Sequence, residues 1–186
     1  MSLKDKEKWN SKYEADEYIT GKEPSHWLQE NASLLAKSGK ALDIAGGEGR
    51  NSVFAASKGY EVTCLDISEN GLRKAQALAQ EKNAKITTVL ADLDNSSLEE
   101  NEYDLVLCFN FLERSMFPGI RQALKPGGLL FYETFTVDYL KYSSFKKEWV
   151  LETNELLQAF SHFRILRYQE VDENPKAFAS LVAQKP

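Results

Sequence analysis

Histidine and cysteine are scarce, two of each in 186 residues. His26 and His162 lie far apart in sequence from each other and from Cys64 and Cys108, so no metal-ligand spacing occurs. Each cysteine sits inside an apolar, strand-like run. A thiol there reads as a small core residue of a reducing compartment, not as half of a disulfide. Positive charge is also short, with 23 Lys and Arg against 28 Asp and Glu and a net charge of −5. A nucleic-acid binder needs clustered Lys and Arg to neutralise phosphates. Lys141, Lys146 and Lys147 come nearest to such a patch and read as a solvated loop. No apolar window reaches the length of a membrane span, and residues 1–8 hold no apolar core of signal-peptide length. The expectation is a cytoplasmic protein whose partner is a small molecule, with no metal, nucleic acid or membrane.

Glycine is sparse as well, at ten residues, yet three fall in one short stretch, Ala45-Gly46-Gly47-Glu48-Gly49. The apolar residues Ala41, Leu42 and Ile44 lead into it, and a segment with helical spacing leaves it at Arg50. This is the strand, tight loop and helix start of a nucleotide-binding crossover. Glycine lets the backbone approach a ligand where a Cβ would collide. The helix that follows offers free N–H groups and partial positive charge. A second apolar run, Tyr60 to Leu65, closes on Asp66, an acid placed to accept both ribose hydroxyls of an adenine nucleoside.

Trp9 and Tyr13, four residues apart, share one side of a helix. With Tyr18 they give residues 1–23 three aromatics on an otherwise hydrophilic arm. That arm either staples itself to the domain or lies over a ligand pocket as a lid. A helix is predicted from Pro24-Ser25 to Ser38, with Trp27, Leu28, Leu34 and Leu35 at helical spacing and Gly39 as its C-terminal cap. Strands follow at 41–44, 61–65, 86–90 (trailing into Asp92-Leu93-Asp94), 103–109 and 129–132. Helices run from 50 to 58, from a Ser68 cap to 80, and from 116 to 124, the last open to interruption at Pro118-Gly119. Lys125-Pro126-Gly127-Gly128 reads as a turn, 136–152 as irregular, and Thr153 as the cap of a helix to Phe160. The runs 163–168 and 177–183 are too close for a parallel crossover and read as an antiparallel hairpin. The expected architecture is one α/β domain over 1–186. It is a Rossmann-like three-layer sandwich around a seven-stranded, mostly parallel sheet ending in that hairpin.

This order of elements, with Asp43-Ile44-Ala45-Gly46-Gly47-Glu48-Gly49 and Asp66, resembles class I S-adenosylmethionine-dependent methyltransferases over nearly the whole chain. Glu48-Gly49-Arg50-Asn51-Ser52, Gly59-Tyr60-Glu61-Val62-Thr63 and Asp66-Ile67-Ser68 are similar to the small bacterial branch related to tellurite-resistance methyltransferases. So are Tyr132-Glu133-Thr134-Phe135 and Ala179-Ser180-Leu181-Val182-Ala183. The family pattern Asp-x-Gly-x-Gly-x-Gly has Ala45 in place of its first glycine, which is tolerable where φ is negative. The resemblance implies S-adenosylmethionine as cofactor and S-adenosylhomocysteine as product. By position, it implies that the backbone of Ala45, Gly46, Gly47 and Gly49, with Asn51, lines the methionine part and that Asp43 reaches its ammonium. Asp66 would hold the ribose, Ile67 the adenine face, and Asp92 with Leu93 the adenine edge. Cys108, Phe109 and Asn110 would border the sulfonium.

Ligands of open α/β sheets sit at the carboxyl ends of the strands. The acceptor, a thiol, metalloid oxyanion or small acid, is therefore expected near Phe111, Arg114, Glu133 and Thr134, with Tyr13 or Tyr18 above. Glu133 reads either as a base or substrate-orienting acid or as a solvated strand end. Arg114 reads as an anion anchor or an ordinary surface residue, and Asp92 as an adenine acceptor or a helix cap. Cys108 has nothing near it in sequence to activate a thiolate. Two other functions share the opening motif: a nicotinamide-dependent oxidoreductase and a non-catalytic binding protein on the same fold. The first is disfavoured by Ser52, where the dinucleotide fingerprint wants Gly or Ala.

Overall fold

A computed structural model describes residues 3–93 and 97–186, with the side chains of residues 3 and 4 left aside. Asp94, the predicted tail of the third strand, lies outside the described residues. The helices are α1 (Leu3–Lys12), α2 (His26–Glu30), α3 (Arg50–Ser57), α4 (Glu69–Glu81), α5 (Met116–Ala123) and α6 (Glu155–Ala159). The strands are β1 (Gly39–Ile44), β2 (Tyr60–Asp66), β3 (Ile86–Leu90), β4 (Tyr103–Phe109), β5 (Leu124–Phe135), β6 (Arg164–Glu173) and β7 (Lys176–Gln184).

One seven-stranded sheet forms in the order β3-β2-β1-β4-β5-β7-β6. The first five strands pair in parallel, whereas β7 runs antiparallel to both β5 and β6. β1 and β4 occupy the centre because their residues are apolar on both faces: Ala41, Leu42 and Ile44, and Leu105 to Cys108, are all fully buried. Burying each of the larger ones stabilises the fold by about 1.5–3 kcal/mol before entropy is counted. On one face Leu42, Ile44, Val106 and Cys108 pack with Phe117, Ile120 and Phe160 of α5 and its neighbours. On the other, Ala41, Leu105 and Leu107 pack with Trp27, Leu28 and Ala55. Edge strand β6 alternates charged and apolar residues and is largely exposed, which discourages further pairing. Reversal of strand order between β1 and β4 opens a crevice at their carboxyl ends, where ligands of such sheets lie.

Several boundaries differ from the sequence expectation. The helix predicted across 24–38 stops at Glu30. The Asn31 side chain donates to the Trp27 carbonyl at 2.9 Å and ends the turn, leaving a short 3-10 turn at Ala32–Leu34. Gly39 then opens β1 rather than capping a helix. Its φ is +145°, and a Cβ there would press on Asp104. Pro118 does not break α5 because it sits in the first turn, where a missing N–H costs no helical hydrogen bond. Lys125–Gly128 is a bulge inside β5, not a free turn, and it is held by reciprocal hydrogen bonds between Gly127, Gly128 and Lys185. Asn154, not Thr153, precedes α6. Its amide donates to Glu170 at 2.7 Å, and asparagine tolerates the φ of +61° found there. Residues 136–152 hold two 3-10 turns, Val137–Lys141 and Lys147–Trp149. None of the helices among the described residues is long and apolar enough to cross a membrane.

Candidate functional site

The loop between β1 and α3 is folded by positive φ at Ala45 (+53°), Gly47 (+54°) and Gly49 (+81°). Ala45 therefore holds the left-handed conformation that its replacement of glycine was expected to avoid, a local strain of about 1–2 kcal/mol. The backbone lies too close to its surroundings for larger residues. A Cβ on Gly46 would come within 2.5 Å of the Cys64 sulfur, and one on Gly47 within 2.8 Å of the Tyr13 hydroxyl. Gly49 serves packing: a Cβ there would meet the Ala75 Cβ of α4 at 2.5 Å. This last glycine joins two helices and does not line the cavity.

Two buried carboxylates stand beside the loop. Asp66 closes β2, and its two oxygens accept from the Gly47 and Ser68 amides, each at 2.8 Å. The Ile67 amide is also directed at this carboxylate, and the acceptor capacity that remains can take a ligand hydroxyl. Asp43, on β1, accepts from the Ser52 hydroxyl at 2.6 Å. Neither makes an ion pair among the described residues. Burial raises the pKa of Asp66, against the lowering effect of amide hydrogen bonds, and burial pushes Asp43 up to about 7. The site thus presents desolvated negative charge that a cationic, hydroxyl-bearing ligand would satisfy.

Asp43, Ala45, Gly46, Gly47, Asn51, Asp66 and Ile67 line one side of a cavity of about 670 Å³. Phe109, Asn110, Phe111 and Thr134 line the other, at the ends of β4 and β5, with Tyr13 above and Arg114 at the rim. The N-terminal arm combines both expected roles. Asn10 accepts from the Ser68 hydroxyl at 2.7 Å, and Tyr13 packs over Gly47 and Gly71, so α1 forms a wall. Residues 15–20 are bolted beneath it. Buried Glu48 accepts from the Ile19 and Thr20 amides and pairs with buried Lys74 at 2.8 Å, while Lys74 donates to the Ala15 and Glu17 carbonyls.

Other predicted residues point elsewhere. Tyr18 donates to the Lys74 carbonyl at 2.9 Å, packs on Val53, Leu78 and Ala79, and staples the arm. Cys108 faces the α5 side of the core beside Tyr132. Burial pushes its thiol up to about 12, so it is no nucleophile. Leu93 is buried in that same core, and Asp92 follows β3 half-buried and engaged in contacts of its own; neither lines the cavity. The Glu133 carboxylate accepts from the Ser25 and Ser180 hydroxyls, at 3.1 and 2.7 Å, and does not line the cavity. Arg114 reaches the rim with its guanidinium already committed. It forks onto Glu155 at 2.6 and 2.9 Å and donates to the Glu148 and Val150 carbonyls. The hydrogen-bonded Glu155 raises its pKa.

Sequence reasoning missed much of the wall. Arg50 lines the cavity and donates to the Thr20 carbonyl at 2.9 Å, and burial lowers its pKa against Glu133, Asp43 and Glu48. Lys8 and Lys12 enter from α1 beside Trp9, one of the arm aromatics expected over the pocket, and Phe135, Phe145 and Trp149 enter from the segment after β5. The available signal was the density of aromatic residues in 135–149, a stretch without core periodicity.

Residues 41–128 match the family model described as a methyltransferase domain. Over that stretch, which holds the glycine loop and strands β1 to β4, the chain is similar to methyltransferase domains. A probable S-adenosyl-L-methionine-dependent methyltransferase, TehB, from Haemophilus influenzae is 28% identical over 174 residues, covering 83% of this chain and 60% of that protein. A ubiquinone biosynthesis O-methyltransferase from Aromatoleum aromaticum is 32% identical over 127 residues, 62% of this chain and 51% of that one. The chain thus spans about half to three-fifths of the curated relatives' length. The crystal structure of Haemophilus TehB superposes with a TM-score of 0.72 at 23% identity, covering 97% of this chain and 67% of that one. An S-adenosylmethionine-dependent methyltransferase from Mesorhizobium loti gives 0.69 at 20% identity, covering 87% and 99%. The likeness of fold to the TehB structure extends over the whole sheet, its antiparallel hairpin included.

Proposed function

We propose that the chain transfers a methyl group from S-adenosylmethionine to a small-molecule acceptor. The observation that carries this reading is the pair of buried carboxylates, Asp66 and Asp43, neither in an ion pair among the described residues, beside a loop whose backbone admits no further side chain. When bound, the cofactor supplies a sulfonium-activated methyl carbon for in-line displacement and leaves as S-adenosylhomocysteine. Asp66 holds the ribose hydroxyls on its carboxylate, and Ile67 lies against the adenine. Asp43 faces the positive charge of the methionine part, with the Ala45–Gly47 backbone alongside. Phe109 and Asn110, at the end of β4, border the reacting end; Asn110 is fixed by its backbone N–H, which donates to the Glu133 carbonyl at 2.8 Å. The chain's contribution is to orient two reactants in a water-poor cleft, which is worth about 7–11 kcal/mol in favourable cases.

Calorimetric titration of the full chain with S-adenosylhomocysteine tests this. Asp66→Ala removes both hydroxyl acceptors and is expected to weaken binding at least a hundredfold with the fold intact by circular dichroism. Unchanged affinity in Asp66→Ala would overturn the ribose assignment. Saturable binding of NAD in place of the methyl donor's product would overturn the reaction.

A further inference from the structure

The half of the cavity beyond the strand ends is aromatic. Phe135 stacks on Tyr139 at 4.3 Å and meets Phe145 edge-on at 5.2 Å, and Phe145 meets Trp149 at 6.0 Å. Phe145 and Trp149 are 38% and 40% exposed, large apolar rings left open to the cleft. Trp9, stacked on Tyr13 at 5.6 Å, faces them from the arm. Two cations stand among these rings. Lys8 Nζ lies 4.9 Å from the Trp149 ring centre and Lys12 Nζ 4.4 Å from that of Trp9. They are four residues apart on one helical side and both line the cavity. Neither makes an ion pair among the described residues, though carboxylates are close. Glu113 is occupied by the Ser115 amide and hydroxyl at 3.0 and 2.8 Å, and Glu148 leans to Lys146 at 3.4 Å. Asp5 has contacts of its own. Partial burial and the Lys8 ammonium together lower the pKa of Lys12, so two like charges are held near each other against their repulsion.

We infer that the acceptor is an organic anion with a flat, apolar body, the ring stacked against Phe145 and Trp149 and the charge met by Lys8 and Lys12. This deepens the methyl-transfer reading and rests on it. Rings stabilise a planar apolar partner through offset and edge-on contacts. They offer nothing to a small hydrated oxyanion, which would forfeit its water shell for two lysines on an open rim. The committed Arg114 supplies no alternative anchor, and no histidine lines the cavity to strip a proton. An acceptor that arrives already ionised needs no such base.

The probes are 2-naphthoate, the neutral 2-naphthalenemethanol and selenite, titrated into the full chain saturated with S-adenosylhomocysteine, with tryptophan fluorescence and calorimetry as readouts. Naphthoate is expected to quench Trp149 and bind at least tenfold more tightly than either of the others. Lys8→Gln/Lys12→Gln is expected to lose that preference tenfold when S-adenosylhomocysteine is kept saturating. Trp149→Ala is expected to weaken both naphthyl probes alike. Selenite binding as tightly as naphthoate, or a lysine double variant that leaves naphthoate affinity unchanged, would overturn the inference. Failure of S-adenosylhomocysteine to bind at all would instead strike the methyl-donor reading.

Discussion

A carboxylate cut off from water prefers its neutral form, and Asp43 is almost wholly enclosed, with one serine hydroxyl and a partly engaged arginine for company. Its pKa, raised to about 7 from 3.8, means that the folded chain holds this proton more tightly than the unfolded chain. The associated stability is therefore complete below about pH 4 and drains away as pH climbs through 7, by at most about 1.4 kcal/mol per pH unit. Asp43→Asn has no such charge to bury. The melting temperature of the variant should overtake that of the parent progressively between pH 4 and pH 8. A ligand cation facing Asp43 reverses the preference and expels the proton. Calorimetry near pH 7 in buffers of different ionisation heat should register release of roughly half a proton on binding S-adenosylhomocysteine, and none with Asp43→Asn. A release that is unchanged in the variant would place the ligand's charge elsewhere. At this scale the sequence reveals the acids and glycines, because their chemistry is local. It does not reveal that Gly49 serves α4, since that depends on a helix reached many residues later, and the positive φ of Ala45 has no local signal in the residue type.

Elements legible in the sequence are those whose signals are short-range. Ser68 caps α4 by accepting from the Gly71 amide at 3.1 Å, and the doubly apolar β4 lies where its pattern sets it. Asn31 ends α2 early through a side-chain hydrogen bond that competes with helix continuation. Propensity alone does not foresee that, nor the bulge that absorbs Lys125–Gly128 once Lys185 pairs with it. The arm is the largest departure. What fixes it is a charge buried inside the glycine loop: Glu48, which gathers the Ile19 amide, the Thr20 amide and hydroxyl, and Lys74. Removing one member of a buried pair strands the other, at a cost of about 3–5 kcal/mol, whereas removing both can be nearly neutral. Lys74→Met should accordingly destabilise the chain by about that much in urea unfolding and expose residues 15–20 to protease. Glu48→Gln/Lys74→Met should recover at least half of the loss. A double variant less stable than Lys74→Met would show that the pair itself, not the stranded charge, carries the stability.

Across the whole molecule the parts differ in how firmly they are held. β1 and β4 are buried on both faces, whereas α1 is attached through exposed or half-buried polar contacts, Lys6 to Glu69 at 2.7 Å and Asn10 to Ser68 and Asn70. Segments with few buried apolar contacts open at low free energy, and those that meet ligands come from this end of the range. The mouth of the cavity is flanked by α1 and by the segment after β5, far apart in sequence, with Lys8 of the one over the Trp149 ring of the other. Deleting residues 1–12 removes that bridge and the Trp9 wall but leaves Tyr13 and the bolted residues 15–20. With little core disturbed, the melting temperature of the free chain should fall by only a few degrees, about 2–4 °C for each kcal/mol lost in a chain of this size. Ligand-induced stabilisation scales with the logarithm of affinity, so a wall that helps to hold the ligand should show most strongly there. The truncated chain is expected to lose most of the upward shift that the full chain shows in saturating S-adenosylhomocysteine, and to release the ligand at least tenfold faster in stopped-flow fluorescence. Equal dissociation rates with and without the twelve residues would make α1 a bystander and leave retention to the loop and Asp66 alone.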